Sequence, residues 1–229
     1  MASNNENNPQ EEIRGIENLD AQLTSAGNKL ADNKKIIYWA TGAVVIIGAL
    51  LAGYFFLYRN PNINKSFEAY NQVEIDAAGN DSVAAVKYLD VAKKYSGTDA
   101  GKLAGLNAAE VLYNQGKYKE AIKALDGFSS GDAVLEANAT ILKGDCYVNT
   151  NNYAEALKCF DQAISIADRN PQIVPRVLLK EANIYDAQKK YADALKCYEQ
   201  IKTEYPEFRL GGGLTIDAYI EREKARIGK

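Results

Sequence analysis

Apolar and polar residues follow a helical period along the second half of the chain, and one phrase recurs there. The segment NNYAEALKCFDQAI begins at Asn151, and KKYADALKCYEQIK begins at Lys189, thirty-eight positions later. A weaker copy, GKYKEAIKALDGF, begins at Gly116. Each copy has an aromatic residue, then Ala three residues later and a large apolar residue seven residues later. This spacing puts the three side chains on one helix face, so the repetition predicts a series of similar helices.

A second helical pattern precedes each copy, at a distance of about one helical hairpin along the sequence. These upstream helices end in EVLYNQG, DCYVNTN and NIYDAQK. Each unit is therefore predicted to be a helix, a tight turn and a second helix. Residues 66–95 predict one more, degenerate hairpin, and residues 214–227 predict a terminal capping helix that keeps Ile216, Ile220 and Ile227 on one side. A single hairpin cannot bury its apolar face, so these units are expected to stack.

An uncharged apolar segment, IIYWATGAVVIIGALLAGYFFLY, runs from Ile36 to Tyr58. Its length is sufficient for a helix that spans the hydrocarbon core of a bilayer. A cleaved signal peptide would have a shorter apolar region nearer the start, followed by a small-residue cleavage site. We therefore expect an uncleaved transmembrane helix at 36–58 that contacts membrane lipid.

The charges that flank this segment bear on its orientation. Lys29, Lys34 and Lys35 precede it, whereas Arg59 and Lys65 follow it. The excess of one positive charge favours a cytoplasmic amino terminus by a small margin. Within the segment, GALLAG spaces small residues four apart, as helix-packing faces do, although small residues are also common in single-pass anchors.

The residues before the anchor divide into two parts. Residues 1–12 are rich in Asn and Glu and are predicted to be a disordered tail. Residues 13–35 are predicted to form a short amphipathic helix, because apolar residues recur there at steps of three and four. Its apolar positions are Ile13, Ile16, Leu19, Leu23, Ala26 and Leu30. Two interpretations stay open: a helix that extends the anchor, and a coiled coil that binds a partner.

The composition argues against several classes of function. The net charge of −3 gives no indication of a nucleic-acid partner. Histidine is absent, which removes the commonest general base and metal ligand. Cys146, Cys159 and Cys197 have no metal-site spacing and are interpreted as small core residues. Carboxylates such as Asp161 and Glu181 are interpreted as a solvated face. We expect no enzymatic activity, no cofactor and no metal.

The repeated units resemble the tetratricopeptide repeat family, whose hairpins have small residues in the first helix and Ala and an aromatic residue in the second. One copy matches at Gly144, Tyr147, Tyr153, Ala156, Phe160 and Ala163, and the next at Ala182, Tyr185, Tyr191, Ala194, Tyr198 and Pro206. Lys143 departs from the family pattern, because an apolar residue is usual there. The resemblance implies an all-α solenoid at 59–210, with about four hairpins, and a capping helix at 211–229.

The order of these repeats behind one anchor is similar to a narrower group. These are single-pass tetratricopeptide proteins of Bacteroidetes-type bacteria, similar to the ancillary subunit of the SecYEG translocon. This resemblance implies an inner-membrane anchor and a periplasmic solenoid that acts as a chaperone-like scaffold. The implied partners are Sec translocon components, a periplasmic chaperone or extended client polypeptides. The alternative is a structural adaptor in another envelope assembly, such as outer-membrane biogenesis or polysaccharide export.

Family members bind partners through the first helix of each hairpin, which lines the concave side. Carried over to this chain, the predicted contact residues are Leu106, Glu110, Tyr113, Asn114, Asn138, Ile141, Asp145, Val148, Asn149, Arg176, Leu179, Asn183 and Asp186. Glu110 and Asp145 would repel an acidic peptide, so a clamp for a terminal carboxylate is not expected. Loose contact with extended, partly apolar segments fits better. The alternative is that some of these side chains pack inside the solenoid.

Overall fold

The computed structural model of the chain describes residues 24–25, 34–77, 79–211 and 214–228. The predicted disordered tail and nearly all of the predicted pre-anchor helix lie outside these residues. The chain divides into two compact units, Met1–Asn60 and Pro61–Lys229. The described residues form helices and turns, with no β-strand among them, which confirms the predicted all-α class.

The first unit contains the apolar helix α1 (Lys34–Gly53), followed by a π-helical segment (Tyr54–Arg59). The helix that begins at Lys34 is long and apolar enough to cross a membrane. Its large apolar side chains are exposed, and Trp39 and Leu57 each keep 83% of their surface accessible. An apolar surface of this extent is unfavourable in water, so the helix needs an apolar environment or a partner.

The second unit consists of paired helices joined by short turns. Its helices are α2 (Asn60–Asp76), α3 (Asp81–Lys94), α4 (Asp99–Asn114), α5 (Tyr118–Leu125), α6 (Ala133–Asn149), α7 (Tyr153–Ala167), α8 (Val174–Ala187), α9 (Tyr191–Glu204) and α10 (Ile216–Ile227). Successive helices from α2 to α9 pair as hairpins 1 to 4, and α10 packs on α9. The predicted stack of hairpins with a terminal helix is therefore confirmed.

Polar side chains fix the start of several helices. Thr98 accepts a hydrogen bond from the backbone N–H of Gly101 at the start of α4. Asp132 caps α6 by accepting from two backbone N–H groups, and Thr215 caps α10. Each cap satisfies backbone donors that have no partner within the helix.

The turns inside hairpins 2, 3 and 4 share one backbone geometry. Gly116, Asn151 and Lys189 occupy the same repeat position, and all three have a left-handed φ, between 58° and 72°. In each turn, the next residue donates its backbone N–H to a carbonyl five residues earlier, as Lys190 does to Tyr185 at 2.8 Å. This pattern ends the first helix and reverses the chain. Glycine adopts this conformation without strain, whereas Lys189 adopts it at a cost.

The two helices of hairpin 3 are in close contact at Gly144. A Cβ atom at this position would lie 2.4 Å from Cε1 of Phe160, a ring that is fully buried. The corresponding pairs are Ala109 with Leu125 in hairpin 2 and Ala182 with Tyr198 in hairpin 4. Because every member of these pairs is buried, the small residue sets how near the two helices can come.

The buried apolar side chains form three clusters along the stack. One joins hairpin 1 to α4, the second joins hairpin 2 to α3 and α6, and the third joins hairpins 3 and 4 to α10. Cys146, Cys159 and Cys197 are free and buried, in agreement with their interpretation as core residues. Burial raises the pKa of the Cys146 thiol to about 11, which keeps it protonated and unreactive at neutral pH.

The capping helix α10 docks differently from the sequence prediction. Ile220 is buried, whereas Ile227 is 49% exposed. Glu223 is fully buried instead, and its carboxylate is paired with Arg222 at 2.6 Å and with Arg226 at 3.3 Å. The buried face of α10 therefore combines an apolar contact with a paired carboxylate.

Glu181 also differs from its predicted place on a solvated face. It lies inside α8 and is only 6% exposed. No donor among the described residues reaches its Oε1. Burial, and then the neighbouring Asp161 carboxylate, raise the pKa of Glu181 to about 8. The neutral form of Glu181 is therefore favoured at neutral pH, and its hydroxyl can donate to Asp161.

We expect Gly144→Ala to destabilise the solenoid, although Ala normally favours a helix by about 1 kcal/mol over Gly. The new methyl group would collide with the immobile Phe160 ring, at a cost of about 1–3 kcal/mol in the free energy of unfolding. Thermal melting followed by circular dichroism measures the change. Adding Phe160→Leu recreates the Ala–Leu pair of hairpin 2 and should recover part of the loss. A higher melting point for Gly144→Ala alone would refute the close contact.

The stability of the solenoid should fall as pH rises towards 8, because of Glu181. Its folded pKa of about 8 exceeds the value of 4.5 that is ordinary for a glutamate, so between these pH values the folded state binds the extra proton. The contribution is complete below the unfolded pKa and is lost as pH rises through the folded pKa. Glu181→Gln should remove this slope in melting curves recorded from acid to mildly alkaline pH. Glu199→Gln, on the exposed surface of α9, is the control and should keep it.

Candidate functional site

The predicted contact residues lie on the first helices of hairpins 2 to 4, which are α4, α6 and α8. We call the accessible surface of these three helices the first-helix face. Six predicted residues are exposed on it: Glu110, Asn114, Asn138, Asn149, Arg176 and Asn183. Six are half-buried: Tyr113, Ile141, Asp145, Val148, Leu179 and Asp186. These twelve side chains are at least partly accessible.

Leu106 is the exception and is removed from the predicted set. It is only 6% exposed and belongs to the cluster that joins hairpin 2 to its neighbours. Ile141 and Leu179, at the same repeat position in the next hairpins, are half-buried against the adjoining cluster. The side chain at this repeat position therefore lies between helices, and at most part of it is accessible at the surface.

A series of side-chain hydrogen bonds joins the first helices of successive hairpins, and α8 to α10. We call this series the polar ladder. Its contacts are Asn107 to Tyr70 at 2.6 Å, Asn149 to Tyr113 at 3.2 Å, Lys180 to Asp145 at 2.8 Å and 3.0 Å, Arg222 to Asp186 at 3.0 Å, and Arg226 to Asp186. The partners are separated by about one repeat length in sequence. Each step along the first-helix face is therefore tied by at least one polar contact.

The polar ladder pairs two of the four charged residues in the predicted contact set. Asp145 is paired with Lys180, and Asp186 with two arginines of α10. Burial raises the pKa of Asp145, while the Lys180 ammonium acts in the opposite direction. Among the predicted contact residues, only Glu110 and Arg176 carry charges with no ion-pair partner in the described part of the chain. The other accessible residues of the predicted contact set are amides and apolar side chains.

Two cavities open on or beside the first-helix face in hairpins 3 and 4. The smaller has a volume of about 240 Å³ and lies between α6, α7 and α8. It is lined by Asp145, Val148, Tyr153, Phe160, Lys180, Asn183, Ile184 and Ala187. The larger, of about 460 Å³, lies between the start of α8 and the segment that follows α9. Predicted contact residues line both cavities: Asp145, Val148 and Asn183 the smaller, Arg176 and Leu179 the larger.

Sequence reasoning missed the internal partners of these residues. Lys180 follows Asp145 by thirty-five positions, which is close to one repeat, and this spacing of opposite charges was a signal of contact. Lys143, which departs from the family pattern, reaches Asp126 at the end of α5 at 2.7 Å. Its long side chain places the ammonium group at the surface, so it replaces an apolar residue without being buried. Within the described residues, no group of three metal-ligating side chains is positioned to hold a metal ion.

Comparisons with known proteins agree with this geometry. Residues 77–180 match a family model described as a tetratricopeptide repeat-like domain, and residues 176–207 match a tetratricopeptide repeat. No curated protein matches the chain.

Among solved structures, the chain is similar to the crystal structure of MamA protein, with a TM-score of 0.54 and 17% sequence identity. The match covers 73% of this chain and 83% of the MamA chain. At this identity, the likeness concerns the fold alone. Together with the hairpins and their shared turn geometry, the family matches show that residues 77–207 have a tetratricopeptide repeat-like fold.

Proposed function

We propose that this protein is a non-enzymatic, membrane-anchored scaffold that binds extended segments of client polypeptides in the bacterial envelope. Tetratricopeptide repeats generally bind proteins, which supports the coarse function. The observation that carries the finer proposal is the chemistry of the first-helix face. Its carboxylates Asp145 and Asp186 are held by cations of the same chain, so among the predicted contact residues amides and apolar edges remain for a partner, beside the charged Glu110 and Arg176.

These remaining groups suit an extended polypeptide backbone. The side chain of Asn carries a donor and an acceptor, as a peptide group does, and can bind backbone without regard to sequence. Asn114, Asn138 and Asn183 supply exposed amides along the face. The half-buried edges of Ile141 and Val148 add apolar contacts beside them. Such a surface favours many weak contacts with an unfolded or translocating segment over one tight contact with a charged terminus.

The anchor supports a location at the membrane. In this proposal, residues 36–58 cross the inner membrane, residues 1–35 lie in the cytoplasm, and residues 59–229 lie in the periplasm. The resemblance to translocon-associated repeat proteins supports a position near the Sec translocon, where clients emerge unfolded. A membrane-anchored periplasmic chaperone is then a natural neighbour. An adaptor that binds one folded partner in another envelope assembly is the alternative, because the repeats specify a scaffold and leave the ligand open.

The proposed topology predicts the result of protease protection. Protease added to spheroplasts should digest residues 60–229 and leave an amino-terminal tag intact, because only the carboxyl side of the anchor would be accessible. Immunoblots with antibodies to both ends report the outcome. Loss of the tag with survival of the solenoid would reverse the orientation.

Charge placed on the first-helix face should disrupt client binding. We expect the pair Asn138→Arg and Asn183→Arg to reduce client cross-linking strongly, because long cations would replace two exposed amides. The matched control is Gln162→Arg with Gln200→Arg, at exposed positions on the second helices α7 and α9. Both double variants should change the free energy of unfolding by about 0.5 kcal/mol or less, as surface substitutions usually do.

Co-purification of these variants in mild detergent distinguishes the partners. Sec components and varied clients that are lost only in the first-helix variant would support the proposal. One folded envelope protein recovered in fixed ratio would favour the adaptor. Equal client binding by both variants would show that the binding site lies outside the first-helix face.

A further inference from the structure

The smaller cavity on the first-helix face has the size of a site for one side chain. Its volume is about 240 Å³, below the range of about 300–1,000 Å³ that is usual for pockets that enclose small molecules. Its floor is apolar and consists of Phe160 and Ile184, which are buried, and Tyr153, which is half-buried. Val148 and Ala187 form apolar walls. A single large aliphatic or aromatic side chain would fill this space and remove the accessible apolar surface of Val148, Tyr153 and Ala187 from water.

The rim of the cavity excludes a charged occupant. The ammonium Nζ of Lys180 contacts both carboxylate oxygens of Asp145, at 2.8 Å and 3.0 Å, so the two rim charges neutralise each other. No other charged side chain among the described residues lines the cavity. A charged side chain that entered would lose its hydration without gaining an unpaired counter-charge. The rim is therefore complementary to an uncharged segment.

The remaining rim residue provides a contact for backbone. Asn183 is exposed and lies on α8 between Lys180 and Ala187, at steps of three and four residues along one helix face. Its amide can pair with the donor and acceptor of one peptide group. In an extended segment, successive side chains point in opposite directions, so one can enter the cavity while its neighbours stay in solvent.

We propose that this cavity, which we call the side-chain pocket, binds one large apolar side chain of an extended, uncharged polypeptide segment. Asn183 holds the backbone beside that side chain, and the Lys180–Asp145 pair selects against charged residues. The inference rests on the proposed function and gives it a preferred client sequence: uncharged stretches that contain Leu, Met or Phe.

The test uses the full chain in detergent micelles and short fluorescent peptides with capped ends. Each peptide has a Gly/Ser host and one guest residue, which is Leu, Phe, Ala, Lys or Glu. Fluorescence anisotropy should show binding of the Leu and Phe peptides about tenfold or more tighter than that of the others, because only they bury a large apolar side chain. Equal binding of all guests, or tightest binding of Lys or Glu, would overturn the proposal.

Matched variants locate the effect. Ala187→Phe fills the pocket from an exposed position, and Asn183→Ala removes the backbone contact without touching the core. Ala192→Phe adds the same bulk at an exposed position of α9 outside the pocket. We expect Ala187→Phe to abolish the guest preference, Asn183→Ala to weaken binding of every guest, and Ala192→Phe to behave as the unmodified chain. Guest preference that survives Ala187→Phe would refute the pocket.

A second probe separates this inference from the proposed function. The full chain is mixed with a reduced and carboxymethylated protein, which stays unfolded and offers many segments. If the chain binds this probe but shows no guest preference among the peptides, the scaffold function is supported and the side-chain pocket is refuted. Failure to bind both the probe and every peptide would refute client binding together with the pocket.

Discussion

The close approach of the two helices within each hairpin is the constraint on which the rest of the solenoid depends. Gly144 lies against the buried ring of Phe160, and the buried pairs Ala109–Leu125 and Ala182–Tyr198 occupy the same repeat positions in hairpins 2 and 4. This contact fixes the separation of the first and second helices. It thereby fixes which side of each first helix stays accessible, and it brings successive first helices near enough for the polar ladder. The function proposed here is thus a consequence of steric fit in the core.

The hairpins were predictable from sequence because their signal is local. An aromatic residue, Ala and a large apolar residue at steps of three and four define a helix face without knowledge of the partner helix. The left-handed φ of Lys189 was not predictable in the same way, because glycine or asparagine is the usual residue there. Only the likeness of its turn to those at Gly116 and Asn151 shows that the fold imposes the conformation.

The candidate site was less predictable, because its chemistry depends on contacts between repeats. Most of the predicted contact residues are accessible, yet the sequence did not show that Asp145 and Asp186 are held by cations of neighbouring elements. Leu106 and Glu181 were misplaced for a related reason. Helical periodicity gives the direction of a side chain from its own helix, whereas burial depends on what the next hairpin places opposite it.

The docking of α10 gives the repeat array a defined end. Arg222 and Arg226 occupy the carboxylate of Asp186, which is the contact that the first helix of another hairpin would make. α10 thus caps the repeat array, because its arginines pair with the carboxylate that would otherwise face a further hairpin. Because α10 covers this end of the first-helix face at Asp186, a segment bound as proposed would find the same boundary there, whatever its own sequence.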